Sequence, residues 1–244
     1  MAATLRTDIG KVRKQNEDAA WFDEKRDIYA VADGMGGHLA GEVASAMAIE
    51  AVQAMARSRR APEIKAMGEM VAAAHERIFS HAQENPECTG MGTTLSVLWR
   101  WRSEAYIAQV GDSRIYRFRD QKLERITQDH SLVEELVQAG LITPEQARTH
   151  PRRNIITRAL GTDGDNTPDI LVTDAQKGDL FLLCTDGLSG MVPDEEIEKI
   201  LKEKALEEAA DSLIEKALEA GGRDNVTLVL YSCSGKGVFP WSKD

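Results

Sequence analysis

Short apolar runs separated by charged residues open the chain and predict a β-hairpin. The runs are residues 19–22 and 28–32, and five consecutive charged residues separate them. The strands of a hairpin are antiparallel, so the start of the first strand and the end of the second lie at the same edge of the sheet. Glu17 and Asp18, at the start of the first run, are therefore expected beside Asp33, at the end of the second.

Two longer stretches repeat their apolar residues every three to four positions, which is the spacing of an amphipathic helix. They are residues 40–57 and 62–84, and the second begins with a proline suited to a first helical turn. Ser131 and Glu134 have the spacing of a capping box and predict the start of a further helix. Residues 193–220 carry the pattern of one or two charged helices.

The rest of the chain alternates short apolar strands with turns. The predicted strands are residues 93–101, 105–110, 115–118, 123–127, 170–172, 180–184 and 226–232. No regular β-α-β alternation is present, which argues against a parallel sheet. The order of elements favours an α+β fold in which two antiparallel sheets pack face to face with helix pairs outside. We expect one domain over residues 1–244, ending in a polar tail at 234–244.

Composition and charge exclude several classes of protein. Thirty basic and 40 acidic residues give a net charge of −10, which argues against nucleic acid as a partner. The three cysteines are far apart and predict neither a disulfide framework nor a zinc ribbon. No apolar run is long enough to cross a membrane, and the first residues lack the apolar core of a signal peptide. The cytoplasm is the expected location, with no membrane partner.

Three acids stand next to apolar strands in widely separated parts of the chain. Asp33 and Asp186 each follow a buried run and precede glycine, and Asp224 shortly precedes the last strand. Carboxylate oxygens from several strands are the ligands that Mg²⁺ and similar hard cations prefer. Each Asp-Gly pair alone is equally well explained as a turn. The three together favour a metal site over three ordinary turns.

Four further positions have a functional and a structural interpretation that the pattern leaves open. Arg13 can hold a phosphate with two parallel hydrogen bonds, or it can simply precede the first strand. Asp112 can support the metal ligands or form a tight turn. Asp129 can bind a weaker metal or favour the start of a helix through the helix dipole. His38 is close to the Asp33 turn and is a candidate catalytic residue, although the five histidines have no zinc-hydrolase spacing.

Seven motifs in a fixed order resemble those of the metal-dependent PPM (PP2C-type) serine/threonine phosphatases, in their compact bacterial form. The motifs are residues 13–18, 31–37, 90–94, 110–114, 127–131, 184–188 and 222–227. The resemblance implies a four-layer α-β-β-α sandwich with a binuclear Mg²⁺ or Mn²⁺ centre at one end. The irregular residues from about 141 to 168 correspond to the flap of that family.

The resemblance also implies a role for individual residues. Asp33, Asp186 and Asp224 would bind one metal, and Glu17, Asp33 and the Gly34 carbonyl would bind the other. Asp129 would bind a third, weaker ion together with Asp186. Because Asp129 lies apart from the strand ends, its loss is expected to leave thermal stability nearly unchanged. The remaining implied roles are phosphate binding by Arg13 and support of the ligands by Asp18, Asp112 and Asn225.

The implied activity is hydrolysis of phosphoserine and phosphothreonine in proteins, by direct attack of a metal-bridging hydroxide and without a phosphoenzyme. Arg13, Asp33, Asp186 and Asp224 are the residues assigned to catalysis. The implied partners are phosphorylated proteins and an opposing bacterial Ser/Thr kinase, and the enzyme is expected to be a monomer. Met35 stands where eukaryotic relatives carry a histidine proposed as general acid, so that role is unassigned.

Two alternative functions remain at this point. One is a pseudophosphatase that binds partners without catalysis, which the intact acids argue against. The other is a metal phosphoesterase for nucleotides or diesters, which the acidic composition and the lack of a cluster of aromatic residues disfavour.

Overall fold

The computed structural model describes residues 3–36 and 40–233. The strands in this part of the chain are β1 Ala3–Asp8, β2 Asp18–Asp23, β3 Ile28–Met35, β4 Gly92–Thr93, β5 Leu95–Trp101, β6 Glu104–Val110, β7 Arg114–Arg119, β8 Lys122–Arg125, β9 Asp169–Asp174, β10 Leu180–Cys184 and β11 Val226–Ser232. The helices are α1 Ala40–Ser58, α2 Ile64–Glu84, α3 Leu132–Gln138, α4 Pro144–Thr149, α5 Asp186–Ser189, α6 Asp194–Glu203 and α7 Leu206–Glu219. The candidate His38 and the predicted tail at 234–244 lie outside the described residues.

The strands form two antiparallel sheets. The first sheet has the order β1-β11-β10-β7-β8, and the second has the order β2-β3-β5-β6-β9, with β4 paired to β3. All pairings between these strands are antiparallel. This arrangement confirms the α+β fold that the order of apolar runs predicts.

Three apolar cores hold four layers together. Tyr29, Leu98 and Phe181 belong to the core between the two sheets. Trp99 belongs to the core that α1 and α2 form against the second sheet, and Leu228 to the core that α6 and α7 form against the first. Leu98 and Trp99 enter opposite cores because neighbouring side chains of a strand point to opposite faces. The layers are therefore helix, sheet, sheet, helix.

Local details depart from the sequence predictions where tertiary contacts decide them. The N-terminal residues form β1, which the apolar pattern does not indicate and which pairs along its whole length with β11. The second helix begins at Ile64 rather than residue 62, because Glu63 is extended and acts as the N-cap. The predicted strand 93–101 is divided between β4 and β5.

The predicted flap lies at the side of the sandwich and contains α4. Neither α3 nor α4 contains a buried residue. Both helices have side-chain N-caps, at Ser131 and Thr143, and the second is a full capping box with Gln146. In the described residues no helix combines the length and the apolar character needed to span a bilayer.

Candidate active site

The segments that carry Glu17, Asp18 and Asp33 meet at one edge of the second sheet, as the predicted hairpin requires. Asp18 pairs with Asp33 in the antiparallel register of β2 and β3. The Gly34 N–H donates to the Glu17 carbonyl oxygen at 3.1 Å. A Cβ atom at Gly34 would collide with the carbonyl oxygens of Gly41 and Glu17. Glycine is needed here because only its bare backbone lets β3, the start of α1 and the Glu17 segment approach so closely.

The other acids reach the same place from different elements. Asp186 is the first residue of α5, just after β10, and Asp224 lies in the segment before β11. Asp112 occupies the turn between β6 and β7. Each side chain follows or precedes a strand of the sandwich, so the strand ends bring together residues that are far apart in the chain. We call Glu17, Asp18, Asp33, Asp112, Asp186 and Asp224 the acid cluster.

Burial and mutual repulsion raise the pKa of these carboxyls, which shows how closely they converge. Burial raises the pKa of Asp33 well above its ordinary value, and Asp18, Asp186 and Asp112 raise it further. Burial also raises the pKa of Asp112, with Asp186 adding to the effect. The pKa of Asp18 is raised to about 7 and that of Asp186 to about 6, mainly by burial. Several neighbouring acids can all be ionised at neutral pH only when a cation offsets their repulsion.

Two buried carboxylate oxygens without hydrogen-bond partners in the described part of the chain also indicate a cation at these acids. Thr185 Oγ donates to Asp18 Oδ2 at 2.9 Å. The other oxygen, Asp18 Oδ1, is buried without a hydrogen-bond partner among the described residues, and so is Asp186 Oδ1. Buried acceptors are normally satisfied, so two orphaned carboxylate oxygens beside other acids fit a cation or its coordinated water.

The described side chains do not by themselves form a closed coordination shell. Within residues 3–36 and 40–233, no three His, Cys, Asp or Glu side chains converge as ligands of one ion. Arginine side chains bind two of the acids. The donor set fits Mg²⁺ or Mn²⁺, since such ions take oxygen ligands and Mg²⁺ retains several waters.

Arg13 is one of these arginines. Its Nη2 donates to Asp224 Oδ2 at 2.8 Å, and its Nη1 lies 4.0 Å from Glu17 Oε2. The Arg13 side chain is 48% exposed, so it can move without breaking the core. The structure thus places Arg13 at the acid cluster, where the sequence predicts it.

Arg114 is the other, and it holds the predicted metal ligand Asp129. Its Nε donates to both Asp129 carboxylate oxygens at 2.9 and 3.0 Å, and its Nη2 donates at 2.7 Å. The Asp129 side chain is only 8% exposed. Both partners are largely buried, and removing Asp129 would leave the Arg114 guanidinium, among the described residues, with only a weak contact to Asp194 at 4.0 Å and a bond to the Tyr116 hydroxyl. This contact replaces the expectation that loss of Asp129 leaves stability unchanged.

Asn225 connects three segments beneath the acid cluster. Its Nδ2 donates to the carbonyl oxygens of Ile9 at 3.0 Å and Gln15 at 2.9 Å. Its Oδ1 accepts from the Glu17 N–H at 2.8 Å. The side chain therefore fixes the loop that carries Arg13 and Glu17, and Asn225 itself is 4% exposed.

The acid cluster opens into a groove of about 780 Å³. Asp112, Asp186 and Asp224 line it, and so does Asp129. The predicted flap also lines the groove, with Arg148 among its contributions. A chain of several residues can therefore lie beside the acids.

Two residues that support the site were given no role from the sequence. Arg114 is the last residue of the 110–114 motif, and it binds Asp129, fifteen positions farther along the chain. Thr185 precedes Asp186, and its hydroxyl contacts both Asp18 and the N–H of Thr227. Neither contact is local in sequence, so spacing alone does not indicate it.

Comparison with known proteins assigns this chain and its fold to one class, the metal-dependent serine/threonine phosphatases. A model of the protein phosphatase 2C family matches residues 11–224. The chain belongs to this family, which confirms what the motifs indicate. The enzyme class and the fold predicted from the resemblance are confirmed with it.

Individual relatives cover nearly the whole chain. A serine/threonine phosphatase stp of Listeria monocytogenes is 44% identical over 239 residues, covering 94% of this chain and 95% of that protein. The crystal structure of the Mycobacterium tuberculosis phosphatase PstP/Ppp has a TM-score of 0.89 at 39% identity, covering 96% of this chain and 98% of that one. Another structure is the PstP catalytic domain in complex with two manganese ions, with a TM-score of 0.87 at 38% identity and coverage of 94% and 96%.

Proposed function

We propose that this protein removes phosphate from phosphoserine and phosphothreonine residues of other proteins, using divalent cations held by its acid cluster. One observation carries the proposal. Asp112, Asp186 and Asp224 line a groove, Asp18 and Asp33 are paired and buried beside them, and burial and mutual repulsion raise the pKa values of Asp18, Asp33, Asp112 and Asp186. Such a cluster is stable in its ionised form only around cations, and a phosphate ester needs cations to offset its charge.

The proposed ligands are the residues at the strand ends. Asp33, Asp186 and Asp224 would hold one ion, and Glu17, Asp33 and the Gly34 carbonyl would hold another. When bound, Mg²⁺ or Mn²⁺ would lower the pKa of a coordinated water and offset charge on the phosphoryl oxygens. The PstP domain solved with two manganese ions supports a pair of ions in this family.

Arg13 is proposed to bind the phosphate of the substrate. A cation held by Asp224 would compete with Arg13 for that carboxylate, since the two are now joined at 2.8 Å. The released guanidinium presents a planar pair of N–H donors that matches two phosphate oxygens. Arg13 would then orient the ester and stabilise negative charge that develops on it.

Three residues are proposed to position the ligands. Asp18 sits between Asp33 of the next strand and the Thr185 hydroxyl, and Asn225 fixes the backbone of Glu17. Asp112 adds negative charge beside Asp186. No side chain is assigned to protonate the leaving oxygen, because Met35 offers no proton.

Asp129 is proposed to hold a third, weaker ion together with Asp186. Both of its oxygens now accept hydrogen bonds from Arg114, so an ion would have to share Asp129 with that guanidinium. This competition gives a physical reason for weak binding. We further propose that a Ser/Thr kinase phosphorylates the substrates that this enzyme dephosphorylates.

The test uses p-nitrophenyl phosphate and a phosphothreonine peptide. Hydrolysis of both should cease in EDTA and return with Mn²⁺ or Mg²⁺. Asp186→Asn should lower kcat at least about 100-fold, and calorimetry should show weaker manganese binding. The matched control Asp211→Asn makes the same change at an exposed carboxyl that pairs with Arg6, and it should leave activity intact.

Three outcomes would contradict the proposal. Full turnover in excess EDTA would remove the cations from the mechanism. Binding of phosphopeptide without turnover at saturating Mn²⁺ would indicate a pseudophosphatase. Faster hydrolysis of bis(p-nitrophenyl) phosphate than of the monoester would indicate a phosphodiesterase.

A further inference from the structure

A second cavity of about 700 Å³ lies at the end of the sandwich away from the acid cluster. Residues 25–27, 57–60 and 100–102 line it, and we call it the basic cleft. They belong to the β2–β3 turn, the C-terminal end of α1 with the residues after it, and the β5–β6 turn. β3 runs from Ile28 at this end to the acid cluster, so the two sites are separated by at least about 17 Å at 3.3 Å per residue.

The basic cleft contains an excess of positive charge in an acidic protein. Seven of its ten lining residues are lysine or arginine, whereas the whole chain has a net charge of −10. In the described part of the chain, four of the seven have no carboxylate within salt-bridge distance. These four are Lys25, Arg57, Arg60 and Arg102.

The other three cations build the walls. Arg100 Nη2 donates to Asp27 Oδ2 at 2.6 Å, and its Nη1 donates to the Arg102 carbonyl oxygen at 2.8 Å. Arg26 pairs with Asp23 at 2.7 Å, and Arg59 pairs with Glu69 at 2.8 Å. The contact between Arg100 and Asp27 ties the two hairpin turns together. Lys25 and Arg102 therefore stand on backbone turns that are joined to each other, which lowers the ordering cost of binding an anion.

Helix capping explains only part of this arrangement. Arg57 lies in the last turn of α1, where a cation interacts favourably with the helix dipole. Lys25 and Arg102 lie on hairpin turns and gain nothing from that dipole. Arg60 follows the helix and is exposed. Four cations around one concavity, without carboxylate partners among the described residues, make an anion the ligand that the cleft favours.

The chemistry of the cleft matches a phosphate group on a flexible chain. Guanidinium groups bind phosphate through paired N–H donors. A concave site of this volume encloses a side chain, whereas a bilayer presents a flat surface and a nucleic acid needs a long basic stripe. The only carboxylate lining the cleft within the described residues, Asp27, is paired with Arg100, so nothing there gathers catalytic cations.

We propose that the basic cleft docks a second phosphorylated residue of the phosphoprotein substrate, while a first one is hydrolysed at the acid cluster. This inference rests on the proposed function. Docking would raise the effective concentration of the first phosphate at the active site. An extended chain covers about 3.3 Å per residue, and it must pass around the surface, so about ten or more residues must separate the two phosphates.

The test compares two peptides that share a phosphothreonine and a flexible spacer of about fifteen residues. One peptide ends in a non-hydrolysable phosphonate analogue of phosphoserine, and the other ends in serine. The phosphonate should lower KM about fivefold to tenfold at low salt without changing kcat. High salt should abolish the difference, because it screens exposed charges.

Variants locate the effect. Lys25→Gln combined with Arg60→Gln should remove the KM advantage and leave kcat/KM for p-nitrophenyl phosphate unchanged. The control, Lys199→Gln combined with Lys202→Gln, removes two exposed charges from α6 and should keep the advantage. Equal KM for the two peptides with the wild-type enzyme, or an advantage that survives in the cleft variant, would overturn the proposal.

A binding measurement separates this proposal from the catalytic one. A fluorescent phosphonate peptide without phosphothreonine should bind the wild-type protein in EDTA, and the cleft variant should bind it about tenfold more weakly. If this holds but no phosphopeptide is hydrolysed with Mn²⁺, the docking site stands and the proposed function fails. If vesicles of anionic lipid bind the wild-type protein but not the cleft variant, and the peptide binds neither, the cleft is a membrane contact and the docking proposal is wrong.

Discussion

Asn225 offers a sharp test of how the active-site loop is held. Asn225→Ala removes three hydrogen bonds, two to the carbonyl oxygens of Ile9 and Gln15 and one from the Glu17 N–H. Each lost bond costs about 0.5–1.5 kcal/mol, and a buried group left unsatisfied costs about 1–3 kcal/mol. We expect the free energy of unfolding to fall by about 2–5 kcal/mol, because the site is buried and water replaces the bonds only in part.

The same change should weaken metal binding. Glu17 loses the contact that fixes its backbone, and removing such support typically lowers metal affinity about 10- to 100-fold. Asn225→Asp keeps the acceptor for Glu17 but loses both donors and adds a charge beside Asp224. Its stability should fall further than that of the alanine variant in EDTA and should recover with Mn²⁺.

Urea unfolding in EDTA and manganese titration by calorimetry measure the two effects. Thr4→Val is the control. Thr4 lies on β1, the edge strand of the first sheet, and the change removes its side-chain hydrogen bonds with Glu207 and Arg6. It should lower stability and leave manganese affinity unchanged. A free energy of unfolding of Asn225→Ala within about 0.5 kcal/mol of wild type, or a normal manganese affinity, would show that Asn225 does not hold the active-site loop.

Three further predictions follow from the same contacts. Without metal, burial raises the pKa of Asp18 to about 7, above the value near 3.9 of an unfolded chain. Between these two values the folded state binds more protons than the unfolded state. Thermal stability in EDTA should therefore fall as pH rises from about 4 to about 7. Saturating Mn²⁺ should flatten that profile, and a rising profile in EDTA would contradict it. Arg13→Ala should raise KM and lower kcat/KM about 100-fold with the fold intact, and Arg13→Lys should restore only part; an unchanged kcat/KM would remove Arg13 from the site. Asp129→Ala removes the close carboxylate partner of Arg114, leaving Asp194 at 4.0 Å, and should lower the free energy of unfolding by about 3 kcal/mol. An unchanged melting temperature would show that the Arg114–Asp129 pair contributes nothing.

The amino-acid sequence alone determines much of the architecture, because its strongest signals are local. The alternation of apolar runs and turns sets the strands, and helical spacing sets α1 and α2. The short charged turn after β2 allows only one antiparallel pairing of β2 with β3, so the approach of Asp18 to Asp33 follows from the sequence. The order of seven motifs identifies the enzyme family without any structural information.

Only the tertiary structure decides which distant groups compete for the same atoms. The pairing of β1 with β11 joins residues at opposite ends of the chain, and no local pattern indicates it. Arg114 holds Asp129, and Arg13 holds Asp224, because those side chains come within hydrogen-bonding distance after the sheets pack. The unpaired cations of the basic cleft come from three separate segments in the same way. A salt bridge depends on distances of a few ångströms, and the chain fixes such distances only when all four layers are in place.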